Sequence, residues 1–143
     1  MAERTITGTC LCGAVGVTLS GAKSHVEICQ CVMCRRWSGG LYSAQKGADA
    51  SVTGEDKVAR YQSSDWGERA FCTDCGSHIW WRFKPTGDRS FSAGLFDDAV
   101  QHGIEKEIFT DEAARWTRLA GDHPRQTGAE VIAEAEAGGL TFD

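Results

Sequence analysis

The sequence predicts a mainly β, single-domain fold with few short helices, held by metal as much as by a core. Three observations predict it. Short runs of strand-forming residues, many bounded by glycine, recur along most of the chain. The length, 143 residues, suits one domain with a modest core. The seven cysteines fall into three tight groups: Cys10 and Cys12; Cys29, Cys31 and Cys34; Cys72 and Cys75.

The elements follow in order. Gly13 turns the chain at the first cysteine pair, and Ala14 to Leu19 alternates as a strand. His25 to Cys29 is a second strand and leads into the cysteine triad. Cys31 to Trp37 reads as one helical turn, ended by Ser38-Gly39-Gly40. Leu41 to Lys46, Ala50 to Thr53 and Lys57 to Gln62 read as strands separated by Gly47 and Gly54. Glu68 to Phe71 delivers the last cysteine pair. The run His78 to Phe83 holds Ile79, Trp80, Trp81 and Phe83 and is expected to cross the core, with Phe91 and Phe96 beside it. Ser90 to Phe96 reads as a strand ending in Asp97-Asp98, and Ile104 to Phe109 as an edge strand. Glu112 to Leu119 fits helix or strand equally. Thr127 to Ala137, rich in Ala and Glu, reads as a short helix broken by Gly138-Gly139.

Charge narrows the partners. Fifteen Lys and Arg against twenty Asp and Glu give a formal net charge of −5, against the basic face of a nucleic-acid binder. The first eight residues are polar with no signal-like apolar run, and no stretch has the length of a membrane span. A cytoplasmic protein with free thiols, and with neither nucleic acid nor membrane as partner, is the expectation.

Cys10-Leu11-Cys12 and Cys72-Thr73-Asp74-Cys75 are each followed by a glycine, Gly13 and Gly76. That is the layout of two zinc knuckles closing one four-thiolate structural site. Thiolate softness favours zinc, or an iron–sulfur cluster, over hard cations, and nothing in the chain suggests electron transfer. The triad Cys29-Gln30-Cys31-Val32-Met33-Cys34 has three sulfurs close enough in sequence to share a second metal. Its fourth ligand is either a histidine (His25, His78, His102 or His123), a carboxylate, water or an incoming thiol. A redox pair with a spare thiol is the rival reading. Three thiolates blunt the Lewis acidity of a dication, so an open triad suits thiol capture better than water activation. Arg35 and Arg36, with Trp37 after them, stand where they offset charge or grip a substrate carboxylate. His78 is expected beside the staple as a hydrogen-bond partner.

Three segments together resemble the glutathione-dependent formaldehyde-activating enzyme family, which includes centromere protein V-like domains. They are Gly8-Thr9-Cys10-Leu11-Cys12-Gly13-Ala14-Val15, Cys29 to Gly39, and Phe71-Cys72-Thr73-Asp74-Cys75-Gly76-Ser77. Gly94-Leu95-Phe96-Asp97-Asp98 and Ile108-Phe109 with Trp116 resemble later segments of it. The resemblance implies a compact fold of several small antiparallel sheets stapled by two zincs per chain. It implies Cys10, Cys12, Cys72 and Cys75 at the structural zinc and Cys29, Cys31 and Cys34 at the second, catalytic one. It also implies glutathione or a similar small thiol as one substrate and formaldehyde or a related small aldehyde as the other, in a carbon–sulfur lyase reaction run in reverse. Arg35, Arg36 and Trp37 are the expected substrate-binding residues. The zinc domain is drawn as residues 1–125, with 126–143 as a tail.

The chain departs from the family pattern at Gln30 and Glu107, where histidine is common. Three other functions compete. A methionine-R-sulfoxide reductase needs a late nucleophilic cysteine, and none follows Cys75. A zinc ribbon for nucleic acid conflicts with the acidic balance. A non-enzymatic thiol carrier or protein-binding module would use the same triad and the same arginines.

Overall fold

The computed structural model describes residues 4–141. They group into two units: the chain as far as Val26 with Ser43–Gly103, and Glu27–Tyr42 with the chain from Ile104 onward. The fold is mainly β.

In the first unit, β1 (Ile6–Thr9), β2 (Gly16–Ser20) and β5 (Asp49–Thr53) form an antiparallel sheet in the order β1-β2-β5. Alternation builds it: Ile6, Val17 and Leu19 point into the core, with Ile6 opposite Leu19. Gly8 is required by close packing, since a Cβ there would stand 2.5 Å from the Leu95 carbonyl oxygen.

A second antiparallel run in this unit has the order β4-β9-β8-β7-β6, made by β4 (Tyr42–Gln45), β6 (Val58–Gln62), β7 (Gly67–Cys72), β8 (His78–Phe83) and β9 (Asp88–Ser92). Trp80 of β8 and Phe91 of β9 face each other in register and meet edge-on, their centroids 6.1 Å apart, each 1% exposed. The guanidinium groups of Arg60 and Arg89 lie over the Trp80 ring. Of the five aromatics expected in the core, Trp80, Phe91 and Phe96 are buried. Trp81 and Phe83 are half-buried and pack with Trp66 instead. The register of β7 on β8 shifts between Ala70 and Phe71, a bulge just before Cys72 that re-aims the strand end.

In the second unit, β3 (His25–Cys29) ends at the first triad cysteine and α1 (Val32–Ser38) holds the last. The run β11-β10-β3 contains β10 (Gly103–Ile108) and the two-residue β11 (Arg125–Gln126). The β10–β11 pair is parallel, with Glu107 opposite Arg125, an exception to the antiparallel sheets expected. Two 3-10 turns, Thr110–Glu112 and Arg115–Thr117, follow β10. The helix α2 (Gly128–Ala137) starts at a capping box in which Thr127 accepts from Glu130 N and Glu130 accepts from Thr127 N.

Several expectations shift. The strand expected over Ser90 to Phe96 stops at Ser92, and Ala93–Leu95 is a 3-10 turn. Asp97 and Asp98 open another, Asp97–Gln101. Within Glu112 to Leu119, neither helix nor strand forms; Trp116 sits on the Arg115–Thr117 turn. β1 has no counterpart in the sequence reading. Among the described residues, no helix is long and apolar enough to cross a membrane.

Candidate metal centres

The first unit brings Cys10, Cys12, Cys72 and Cys75 together, and the second brings Cys29, Cys31 and Cys34 together. Within each cluster every sulfur lies within 4.8 Å of every other.

The four-cysteine cluster is made by two similar turns. In the first, Gly13 N donates to Cys10 O at 3.1 Å; in the second, Gly76 N donates to Cys72 O at 2.8 Å. Gly13 and Gly76 adopt φ 83° and 77°, a left-handed conformation that glycine enters without strain. The turns also bring amides to sulfur: Val15 N donates to Cys10 Sγ at 3.3 Å. Cys10 and Cys12 sulfurs are 3.7 Å apart, and those of Cys12 and Cys72 3.8 Å. Four sulfurs around zinc at about 2.3 Å would stand about 3.8 Å from one another, so the donor set fits that ion.

Ser77, not singled out in the sequence, fastens this cluster. Its hydroxyl lies 3.2 Å from Cys75 Sγ and accepts from Leu11 N at 3.1 Å, while its carbonyl accepts from Cys72 N at 2.9 Å. Hydrogen bonding from the Ser77 side chain, and then from backbone at Ser77 and Cys12, lowers the Cys75 thiol to about 5, toward the thiolate that a metal needs. His78 is on β8, opposite Phe71, and joins neither cluster. Burial, and then the charge of Arg69, lower its pKa.

The triad is placed by a strand end and a helix start. Cys29 closes β3, Cys31 caps α1, and Cys34 lies in its first turn, with Cys34 N donating to Cys31 Sγ at 3.3 Å. Cys31 and Cys34 are buried and Cys29 is half-buried. Among the sulfurs alone, hydrogen bonds from Cys29 and then Cys34 pull Cys31 down to about 2, and the same contacts push Cys29 far above the usual thiol range. Cys31 is thereby drawn toward the thiolate, and a bound dication would favour the thiolate form of all three. Among the described residues no histidine or carboxylate joins the three sulfurs.

Around the triad, Arg35 and Arg36 fall in the last turn of α1, with Arg36 the more exposed. Trp37 is half-buried and tilted against Tyr42, centroids 5.5 Å apart. Ser38 lies one helical turn beyond Cys34, on the same face, and its buried hydroxyl has no hydrogen-bond partner.

Gln30 and Glu107, the two departures from the family pattern, touch each other. Gln30 Nε2 donates to Glu107 Oε2 at 3.3 Å and to Thr117 O at 3.0 Å, and Gln30 N donates to Ile108 O at 3.0 Å. The Glu107 carboxylate, 4% exposed, also meets His123 Nε2 and, at 3.3 Å, Arg125 Nε. The residue between the first two triad cysteines is thus held by hydrogen bonds to a buried carboxylate and a backbone carbonyl. Sequence spacing could not pair Gln30 with Glu107, although both stood out by position.

The family model described as glutathione-dependent formaldehyde-activating enzyme matches residues 5–112. A Schizosaccharomyces pombe protein described as an uncharacterized lyase is 30% identical over 107 residues, covering 73% of this chain and 78% of its own. A Rhodobacter sphaeroides protein solved by crystallography in a structural genomics programme is similar in fold, with TM-score 0.52 at 19% identity, over 84% of this chain and 99% of that one.

Proposed function

The chain belongs to the glutathione-dependent formaldehyde-activating enzyme family, and from that premise we propose that it is a zinc-dependent carbon–sulfur lyase that joins a small thiol reversibly to a small aldehyde. Glutathione is the thiol and formaldehyde, or a related electrophile, its partner. The observation that carries the reading is the division of seven sulfurs into a closed set of four and a set of three, each within 4.8 Å.

Cys10, Cys12, Cys72 and Cys75 hold the structural zinc; Cys29, Cys31 and Cys34 hold the second. Held by Cys29, Cys31 and Cys34, a zinc would supply Lewis acidity that favours the thiolate form of an incoming thiol. The protein's part is to position the reactants. Arg35 and Arg36 grip the carboxylates of the thiol substrate, and Trp37, packed on Tyr42, gives their helix turn a fixed base. In the addition, the carbon–sulfur bond forms as the carbonyl π bond opens, and the proton lost by the thiol ends on the new hydroxyl oxygen. The chemistry is placed in residues 1–125, with 126–143 outside it.

The test is metal content and adduct exchange. Freshly purified reduced protein is expected to carry about two zincs per chain, with glutathione changing the surroundings of one only. Exchange NMR of glutathione with formaldehyde should show the S-hydroxymethyl adduct interconverting faster with enzyme than without. Glutathione binding without faster exchange would make the protein a carrier. One zinc per chain with no glutathione binding would remove the reading altogether.

A further inference from the structure

Residues 110–117 are fastened to the triad segment at three places. Glu112 Oε1 accepts from Val32 N at 3.4 Å, at the start of α1. Thr117 O accepts from Gln30 Nε2 at 3.0 Å, between the first two triad cysteines. Beyond the helix, a Cβ on Gly40 would come within 3.4 Å of the Trp116 ring and 3.6 Å of a Thr117 methyl, so the ring lies against bare backbone there. The strap therefore meets the triad segment before, at and after α1.

Fastened in this way, Trp116 still leaves 70% of its surface exposed. Scattered exposed apolar residues are ordinary on protein surfaces. Trp116 differs because the turn that carries it is tied through Thr117 to Gln30, between the first two triad cysteines, and its ring lies against Gly40 just beyond α1. Its neighbours Arg115 and Arg118 are exposed as well. In a chain of net charge −5, an exposed aromatic with an arginine one position before it and another two positions after it suits a flat, anionic ligand.

We propose that Trp116 is a ligand-binding residue of the triad site, its ring receiving the planar amide body of an anionic peptidic thiol whose sulfur lies at the three cysteines. This rests on reading the triad as a thiol site, and it separates two tasks: the cysteines select for sulfur, and Trp116 with its flanking arginines selects for what the sulfur is attached to.

The experiment titrates the zinc-loaded protein calorimetrically with glutathione and, separately, with 2-mercaptoethanol, which has the sulfur but no peptide body. In Trp116→Ala the glutathione affinity should fall about tenfold, the scale of a lost aromatic anchor, with 2-mercaptoethanol unchanged. Trp116→Phe should retain most of the wild-type glutathione affinity. Zinc per chain and Tm equal to wild type establish that the variants are folded. Unchanged glutathione binding in Trp116→Ala would overturn the proposal while leaving thiol capture standing, and so would an equal loss for both thiols. If wild type bound neither thiol, the thiol reading of the triad would fail first and this proposal with it.

Discussion

At the residue scale, the side chains that organise the first unit are often ones whose partners lie far away in sequence. Gln45, fully buried, donates through Nε2 to the carbonyls of Lys23 and Lys46, which leaves its Oε1 to accept from His102 Nδ1 at 2.8 Å. Arg4 Nη1 then donates to His102 Nε2 at 2.7 Å. This chain specifies a neutral imidazole with its proton on Nδ1. Burial, and then the charges of Arg4 and His25, lower the His102 pKa from its ordinary 6.5, against a smaller pull from Asp98. Because the unfolded chain takes up that proton more readily, stability should fall as pH drops below about 6.5, and level off beneath the folded value. Urea midpoints measured between pH 7.5 and 5 should show a shallower acid decline for His102→Gln than for wild type. An identical decline would mean that this imidazole does not titrate with folding. The cysteines, by contrast, were legible because their identity and spacing carry the chemistry. Ser77 and Gln45 were not, because a serine or glutamine announces no partner until the fold supplies one.

Element scale separates what strand patterning can show from what only packing decides. β8 was legible as a dense apolar run, whereas β1 (Ile6–Thr9) was not. Three of its four residues are Thr7, Gly8 and Thr9, and Gly8 is chosen for the space beside Leu95 rather than for strand propensity. The limits of β10 and β11 were hidden for a related reason: a two-residue parallel pairing has no periodicity, yet it places Arg125 opposite Glu107. That pairing carries an energetic consequence. Glu107→Ala would leave the buried side chains of His123 and Gln30 without their carboxylate partner, and a buried hydrogen-bonding group left unpaired costs about 1–3 kcal/mol. Denaturant unfolding should show a loss of that order. Metal competition by a chelator should show the triad releasing its ion more readily, since Gln30 loses one of its side-chain anchors. A stability change under about 1 kcal/mol would show that the network is solvated and does not brace the triad.

For the whole molecule, the two clusters belong to different units and so make separable demands on the fold. The four-cysteine set joins the turn after β1 to the turn between β7 and β8, segments with Cys12 and Cys72 60 residues apart. The triad is local, spanning one strand end and one short helix. Metal binding at structural zinc sites is worth about 10–16 kcal/mol in small zinc modules, comparable with or larger than the total stability of a domain, about 5–15 kcal/mol. Loss of a ligand from the set that closes a long loop should therefore be felt as unfolding, and loss from the local set as loss of function. Cys75→Ser is expected to give protein that is insoluble or melts well below wild type. Cys34→Ser should stay folded, carry about one zinc instead of two, and lose glutathione binding. Circular dichroism melts with zinc analysis on both variants decide it. Equal destabilisation would mean that the triad also staples the fold, and the assignment of one cluster to structure and the other to chemistry would have to be abandoned.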